Sequence, residues 1–430
     1  TAAVVDRLAA VRSFEVTPGR IPVELPVGDT RGARAPRFLV TGSVLRSGGR
    51  VRVNVELIDA IAGRTLRTAV LERDSSESMT LVDVLSREVS SMVRVAVGRE
   101  VRSRDRYAEG MDARAQSLVE QASAERDRAH MLERAGQFPT AARALARAGS
   151  LLVSAEAIAP EWREPMIDRA RILGELAVLH FSPAFRDMAR ADALLREGIA
   201  EADRAVASDG DDATALEALG LLSYWYWLEA PLAPDSSQRL LARTRRTLQS
   251  AVAIDPGRAS AWSLLSAALY ARADFSGAYL AADRAYQADA YLDDAEGILN
   301  RLFVASYEIG DDTSSHRWCE EIRHRFRRSW TGVYCRLSLL AWNGTPGDRA
   351  AARQAWEIAA EGDPPAAPVS EMKPRLHMLV AAVLARAGLR DSAEAMIELV
   401  RERAADDPEI LPLEAIAQLL LGQPDTAVTL

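Results

Sequence analysis

Residues 259–289 read ASAWSLLSAALYARADFSGAYLAADRAYQAD, and this stretch decides the fold of most of the chain. Large side chains recur at helical spacing before Asp274, and alanines recur at helical spacing after Phe275. The pattern predicts a helical hairpin in which a stripe of large residues packs against a stripe of small ones. Pro256 and Gly257 end the preceding helix, because proline cannot continue a helix and glycine tolerates the turn.

This hairpin resembles the tetratricopeptide repeat (TPR), whose Trp, Leu, Gly, Tyr, Ala, Phe, Ala, Pro pattern it follows except at the final proline. The corresponding positions are Trp262, Leu265, Ser266, Leu269, Ala278, Ala282, Ala285 and Ala290. Similar patterns recur over residues 110–430, and a period of about 34 residues is typical of stacked helical pairs. The resemblance implies a TPR-like α-solenoid of about seven repeats, with an insertion at 224–237.

A solenoid of helical pairs has a concave groove lined by its first helices, which favours the binding of a protein or peptide. The groove positions are expected one residue after the inward Trp or Leu of each repeat. The candidate partner-binding residues are Ser263, Glu217, Cys335 and Met378.

The first hundred residues have a different pattern. Residues 38–45 are strand-like, and residues 51–57 alternate between apolar and polar side chains, which predicts two strands joined by a turn at Ser47-Gly48-Gly49. A third strand is expected at 65–73, and residues 79–101 predict an amphipathic helix. The fold class is therefore mostly α, with a small α+β domain at 1–102 before the solenoid.

This first domain resembles the TolB amino-terminal domain, without the Trp which that family usually has near Leu66. The resemblance is carried by Val-Thr-Gly-Ser-Val at 40–44, Gly-Arg-Val-Arg-Val at 49–53 and Leu-Ile-Asp-Ala at 57–60. Such domains followed by TPR arrays form the carboxy-terminal part of bacterial serine/threonine kinases, adenylate cyclases or transcriptional regulators. The resemblance implies a sensing or scaffolding role, with any catalytic domain before Thr1.

The charge is distributed unevenly, and it favours protein partners. The net charge is −8, with 18 Arg and 13 acidic residues in 1–108 and all the excess acid beyond it. An acidic solenoid does not suit general binding of nucleic acid, which requires neutralisation of phosphates. No motif predicts a cofactor or a catalytic set, so an enzyme is not expected within these residues.

The location is predicted from the resemblance. Because the chain begins at Thr1 without methionine, we expect a segment of something longer, with any membrane contact made by a partner or by another segment. Kinases of this type carry a membrane span before the solenoid, which implies an extracytoplasmic, periplasmic location; a cytoplasmic one is the alternative.

Four consecutive aromatic residues open the predicted insertion: Tyr224, Trp225, Tyr226 and Trp227. They cannot all face one side of a helix, so at least one is expected outside the core of the repeat. Exposed Trp and Tyr are favoured anchors of protein interfaces, which makes the run a candidate docking surface. Burial against a neighbouring repeat is the preferred alternative.

The two cysteines, Cys319 and Cys335, are expected at core positions on either side of a turn. Two buried thiols are the preferred interpretation, and a disulfide is the alternative if the compartment is oxidising.

Two groups of charged residues remain. His316, Glu320 and His324 share a helical face, but a solvated face is a simpler interpretation than a metal site. Arg323, Arg325, Arg327 and Arg328 form a basic patch that could dock an acidic group, although favourable charge at a helix end explains it more simply.

Three functions follow. The favoured one is a non-catalytic scaffold or sensor module that binds a protein or peptide. The alternatives are a stoichiometric subunit of a larger assembly, and the regulatory part of a kinase or cyclase.

Overall fold

The structure is a computed structural model that describes residues 38–47, 49–60, 64–74, 112–230, 232–288, 294–326, 329–361, 369–404 and 410–429. The chain divides into two compact units, Thr1–Ala295 and Glu296–Leu430. It is mostly α, with a small antiparallel sheet followed by successive helices in a solenoid-like arrangement, as predicted.

The sheet contains β1 (Phe38–Ser47), β2 (Arg50–Asp59) and β3 (Arg64–Asp74) in the order β1-β2-β3. Both neighbouring pairs are antiparallel, and Phe38 is opposite Asp59 in the first of them. The predicted alternation holds along β2, where Val51, Val53, Val55 and Leu57 are buried. The helix predicted at 79–101 lies outside the described residues, so the TolB-like assignment stays a prediction.

The first unit continues with helices that follow one another as antiparallel hairpins. Their bounds are α1 Ala113–Arg134, α2 Phe138–Ile158, α3 Glu164–Phe181, α4 Met188–Ser208, α5 Ala213–Glu229, α6 Pro234–Ile254, α7 Ala259–Tyr270 and α8 Phe275–Ala288. A 3-10 turn at Pro183–Phe185 lies between α3 and α4.

The stretch that predicted a hairpin forms α7 and α8. Leu265, Ser266 and Leu269 are buried on α7, and they face alanines on α8. The hydroxyl of Ser266 donates to the carbonyl of Ala278 at 2.8 Å, which ties the two helices together. Trp262 is only partly buried, since its indole N–H donates to the carbonyl of Pro256 at 3.0 Å outside the hairpin core.

The turns inside several hairpins share one geometry. A φ between 71° and 74° is found at Gly136, Gly310, Gly388 and Gly422. In each case the backbone N–H of the following residue donates a hydrogen bond to a carbonyl in the last turn of the preceding helix. Glycine suits this left-handed position because it has no Cβ. In the turn between α7 and α8 the position is held by Ala273, whose φ is 57°.

The first hairpins are longer than the repeat period predicts. Helices α2, α4 and α6 have 21 residues each, whereas α8 has 14. The four aromatics expected to open an insertion lie inside α5, which extends to Glu229. The extra residues near 224–237 therefore lengthen α5 and α6 instead of forming only a loop. The number and boundaries of the repeats stay predictions.

Close helix approach in these hairpins depends on small residues. A Cβ at Gly220 on α5 would lie 2.4 Å from Cδ2 of Leu248 on α6. Likewise, a Cβ at Gly174 on α3 would lie 2.4 Å from Cδ2 of Leu222 on α5. A side chain at either glycine would therefore force the neighbouring leucine to move from its packed position.

The second unit continues the helical succession. Its helices are α9 Ala295–Glu308, α10 Asp312–Phe326, α11 Trp330–Asn343, α12 Arg349–Glu361, α13 Val369–Arg386, α14 Arg390–Ala404, α15 Ile410–Leu420 and α16 Pro424–Thr429. The long helix α13 packs against α11, α12, α14 and α15. Residues from Met378 to Ala385 along it are buried without interruption, because neighbours cover it on all sides.

A disulfide joins Cys319 on α10 to Cys335 on α11. The preferred interpretation from the sequence was two buried thiols. The disulfide shows that the thiols are not free, but their burial is confirmed, since the two residues are 3% and 0% exposed. Their Cα atoms are 5.6 Å apart, because α10 and α11 pack against each other.

No helix among the described residues is long and apolar enough to cross a bilayer.

Candidate functional site

Ion pairs connect the first helices of successive hairpins in the first unit. The Nε of Arg126 on α1 donates to both carboxylate oxygens of Glu175 on α3, at 2.8 and 3.0 Å. Nε2 of His130, one turn after Arg126, lies 3.3 Å from Oε2 of the same carboxylate. Neither pairing has a local signal in the sequence, because the partners are 49 and 45 residues apart.

The pKa values in this cluster show how tightly it is coupled. Burial alone would raise the pKa of Glu175, but the charge of Arg126 and hydrogen bonds from His130 and Arg126 lower it from 4.5 to about 2. The hydrogen bond to Glu175 raises the pKa of His130 above 6.5, and it outweighs the opposing effect of burial.

A second polar cluster surrounds Glu217 on α5. Its carboxylate accepts hydrogen bonds from Nη1 of Arg258 at 3.0 Å and from the hydroxyl of Ser260 at 2.8 Å. Arg171 on α3 approaches it at 3.8 Å, and Arg258 also donates to Thr214. The side chain is committed to links among α3, α5 and the start of α7.

The four predicted groove residues lie in the interior. Glu217 is 9% exposed, Ser263 is 4% exposed, and Cys335 and Met378 are fully buried. The hydroxyl of Ser263 donates to Asp294 at 2.8 Å, and Cys335 is in the disulfide. The structure therefore places these positions between helices instead of on an open groove, since neighbouring elements cover the first helices there. Their role in partner binding stays a prediction.

The aromatic run divides between packing and surface. Trp225 packs on the core shared by α3, α4 and α5, close to Gly174. The indole N–H of Trp227 donates to the hydroxyl of Ser237 on α6 at 2.8 Å, and its ring lies 5.7 Å from that of Tyr224. All four side chains are partly exposed, so neither complete burial nor full exposure describes the run.

Tyr226 is the member of the run that reaches a pocket. Its phenol oxygen accepts a hydrogen bond from Nε of Arg196 on α4 at 3.1 Å. The guanidinium carbon of Arg196 lies 5.8 Å from the ring centroid, within the range of a cation–π contact. Leu228, two residues later, is 56% exposed.

The pocket lies where the ends of α3 and α5 meet the start of α4. It is a small surface pocket with a cavity volume of about 50 Å³. It is lined by Phe181, Met188, Asp192, Leu195, Tyr226 and Glu229. Sequence reasoning identified only Tyr226 among them, because the others come from segments about 30 or more residues before it or, for Glu229, follow the aromatic run without an apolar signal.

The remaining sequence candidates are surface groups. His316 and Glu320 are exposed on α10; His316 contacts the carbonyl of Asp312 and Glu320 pairs with Arg323. Across the described part of the chain, no group of three or more His, Cys, Asp or Glu residues is arranged to hold a metal ion, and His324 is exposed.

The basic patch is placed only in part. Arg323 pairs with Glu320 at 2.6 Å. Arg325 lies near Glu321 and over the ring of Phe326, at 3.8 and 5.3 Å. These contacts fit favourable charge in the last turn of α10. Arg327 and Arg328 lie outside the described residues.

Aromatic rings also form a chain of contacts in the second unit. Phe303 and Tyr307 on α9 contact Tyr334 and Trp342 on α11, with ring centroids 6.4 and 6.1 Å apart. Trp342, the last ring in this series of contacts, is 50% exposed. The second unit thus has its own exposed aromatic anchor, which the sequence analysis did not single out.

Comparisons with known proteins find no matching family model and no matching curated protein. Among solved structures, the chain is similar to a thermophilic TPR protein of Thermus thermophilus, with 14% identity over 51% of this chain and 99% of that one, and a TM-score of 0.37. It is also similar to a TPR protein of Parabacteroides merdae, with 13% identity over 70% of this chain and 99% of that one, and a TM-score of 0.40. Yeast Tom70 gives 11% identity over 72% and 90%, and a TM-score of 0.34. These low values carry no argument about function.

Proposed function

We propose that this chain is a non-catalytic scaffold that binds a protein or peptide partner at the end of α5. The observation that carries the proposal is the exposure of large side chains at this end of the helix. Tyr226 packs at the edge of the core and lines a surface pocket, and Leu228, two residues later, is 56% exposed. Partly exposed aromatic and large apolar side chains next to a pocket are typical anchors of protein interfaces.

The polar clusters of the first helices support this choice of surface over the predicted groove. Glu175 and Glu217 are already bound by arginines of neighbouring helices. A partner that used either carboxylate would have to break these pairs first, which would leave an arginine without its counter-ion. The end of α5 carries no such cost.

We also propose an extracytoplasmic location. The disulfide between Cys319 and Cys335 supports it, because disulfides persist in oxidising compartments and are rare in the cytosol. Finding both cysteines as thiols in protein isolated from its own cells under alkylating conditions would contradict this location.

The test of the scaffold function is quantitative affinity capture by the tagged full-length protein from its own cells, followed by mass spectrometry. Tyr226→Ala combined with Leu228→Ala should reduce capture of the partner at least tenfold, since interface anchors contribute roughly 2 kcal/mol or more each. Leu280→Ala is the matched control, because Leu280 is 64% exposed on α8, away from the pocket. Circular dichroism checks that both variants stay folded.

The outcomes separate the three functions. A partner recovered at near-equal amounts and lost in the double variant would show a structural subunit that docks at this surface. A bait carrying an additional enzyme domain would show a regulatory part. Equal capture by the wild type and the double variant would contradict docking at the end of α5.

A further inference from the structure

The pocket at the end of α5 combines an apolar lining with a carboxylate. Phe181, Met188 and Leu195 contribute apolar surface from α3 and α4. Glu229, in the last turn of α5, lines the same pocket and is partly buried. Burial raises the pKa of Glu229, which shows that its charge is poorly compensated where it lies.

The other charged groups around the pocket leave this carboxylate without a close partner. Asp192 is paired with Arg196 at 3.0 Å, and Arg196 in turn donates to the phenol oxygen of Tyr226. Arg186 is the cation whose charge acts on Glu229. Within the described ranges of the chain, however, neither Arg186 nor any other residue forms an ion pair or hydrogen bond with Glu229.

We propose that this pocket binds a basic side chain, lysine or arginine, of the partner polypeptide, with its charged end at Glu229 and its aliphatic stem on Phe181 and Leu195. The inference rests on the proposed scaffold function. It names the chemistry of the partner: a segment that presents a positively charged residue to the pocket.

The match follows from the shape of basic side chains. Lysine and arginine bury their methylene stems along apolar surfaces and keep the charged head at a polar edge. An acidic group would face two carboxylates, and a purely apolar one would leave the charge of Glu229 further desolvated. A basic group instead supplies the counter-ion that Glu229 lacks.

The experiment uses Nα-acetyl-lysine amide as the probe and Nα-acetyl-norleucine amide, which has the same stem without the ammonium group, as its comparison. Binding is followed by NMR through the methyl group of Met188, with ¹³C-methyl methionine in the full-length protein. The lysine amide should shift this signal and bind roughly two- to fivefold more tightly than the norleucine amide, as expected for one partly exposed ion pair.

Two variants decide the role of the carboxylate. Glu229→Gln should remove the preference for the lysine amide, whereas Glu197→Gln, an exposed change on α4 with the same loss of charge, should keep it. Equal binding of both amides, an unchanged preference in Glu229→Gln, or no shift of Met188 would each overturn the inference.

Capture of the natural partner separates this inference from the function on which it rests. If the partner binds wild type and Glu229→Gln equally but is lost from the Tyr226 and Leu228 double variant, the scaffold stands and the basic-residue site fails. If the lysine amide binds as expected but no partner depends on the end of α5, the site stands and the scaffold function fails.

Discussion

The charge of Glu175 should be one of the largest single electrostatic contributions to the stability of the first unit. Its pKa falls from 4.5 to about 2 on folding, and one pKa unit corresponds to about 1.4 kcal/mol. The ionised carboxylate therefore stabilises the folded state by about 3 kcal/mol at neutral pH. Because its partners Arg126 and His130 are 32% and 44% exposed, solvent screening lowers the expected effect of Glu175→Gln to about 2 kcal/mol.

The free energy of unfolding that Glu175 contributes changes with pH in a defined direction. The contribution of Glu175 is complete above its unfolded pKa of 4.5 and is lost as the pH falls toward about 2. His130 has a raised pKa, so its contribution is complete below 6.5 and is lost as the pH rises through the folded value. The difference between wild type and Glu175→Gln should therefore be largest between about pH 5 and pH 6.5.

The assay is urea unfolding followed by far-UV circular dichroism from about pH 3 to pH 8. Hydrogen exchange of the amides in α1 and α3 at about pH 6 places the loss of stability on the two helices that the pair connects. Glu161→Gln is the control, because Glu161 is an exposed carboxylate in the connection before α3. A loss below about 0.5 kcal/mol, or an effect that is the same at every pH, would refute the reasoning.

Three further changes test the packing and the turns. Denatured, unreduced protein should show no reactive thiol, and Cys319→Ser with Cys335→Ser should destabilise the second unit by about 3 kcal/mol, as measured by urea unfolding; two titratable thiols would contradict the bond. Gly220→Ala should lower the melting temperature through a loss of roughly 1–3 kcal/mol, because the new methyl has no room; an unchanged melting temperature would show that the helices can separate freely. Ala273→Gly should stabilise by about 0.5 kcal/mol, since relief of a left-handed backbone exceeds the added chain entropy, whereas Ala271→Gly, at a helical φ, should destabilise.

Local patterns in the sequence predicted the secondary structure and the pairing of two hairpins. The hairpin between Ala259 and Ala288 was predicted because Asp274 interrupts two helical faces, and in the structure its carboxylate accepts the N–H of Gly277 at the start of α8. The β-hairpin around Gly49 was predicted from the turn residues and from the alternation that follows them at 51–57. In both cases the interacting residues are close together in the sequence, and periodicity reports such contacts directly.

Contacts between hairpins could not be predicted in the same way. Met378 was expected in a groove because it lies next to an inward position, but helices on several sides bury it. Glu175 and Arg126 have no pattern that links them over 49 residues. The surroundings of a helix face depend on which neighbours cover it, and a single sequence does not specify that.

At the pocket, too, contacts between distant segments could not be predicted from the sequence. The aromatic run predicted that at least one ring would lie outside the core; in the structure all four rings are partly exposed, and Trp225 and Tyr226 pack at the edge of the core. The sequence could not tell that Trp225 would pack inward or that Glu229 would face apolar residues from α3 and α4. Consecutive residues on one helix point in different directions, and their roles follow from the tertiary contacts of each direction.

The disulfide of the second unit connects consecutive helices, since Cys319 lies in the middle of α10 and Cys335 in the first half of α11. Stacked repeats held only by neighbour contacts can be unravelled from one end, one hairpin at a time. A covalent bond across the junction removes that freedom. Under mechanical tension, α10 and α11 cannot peel apart. Because the segment between the cysteines cannot lengthen, the two helices must resist a pulling force together as one block.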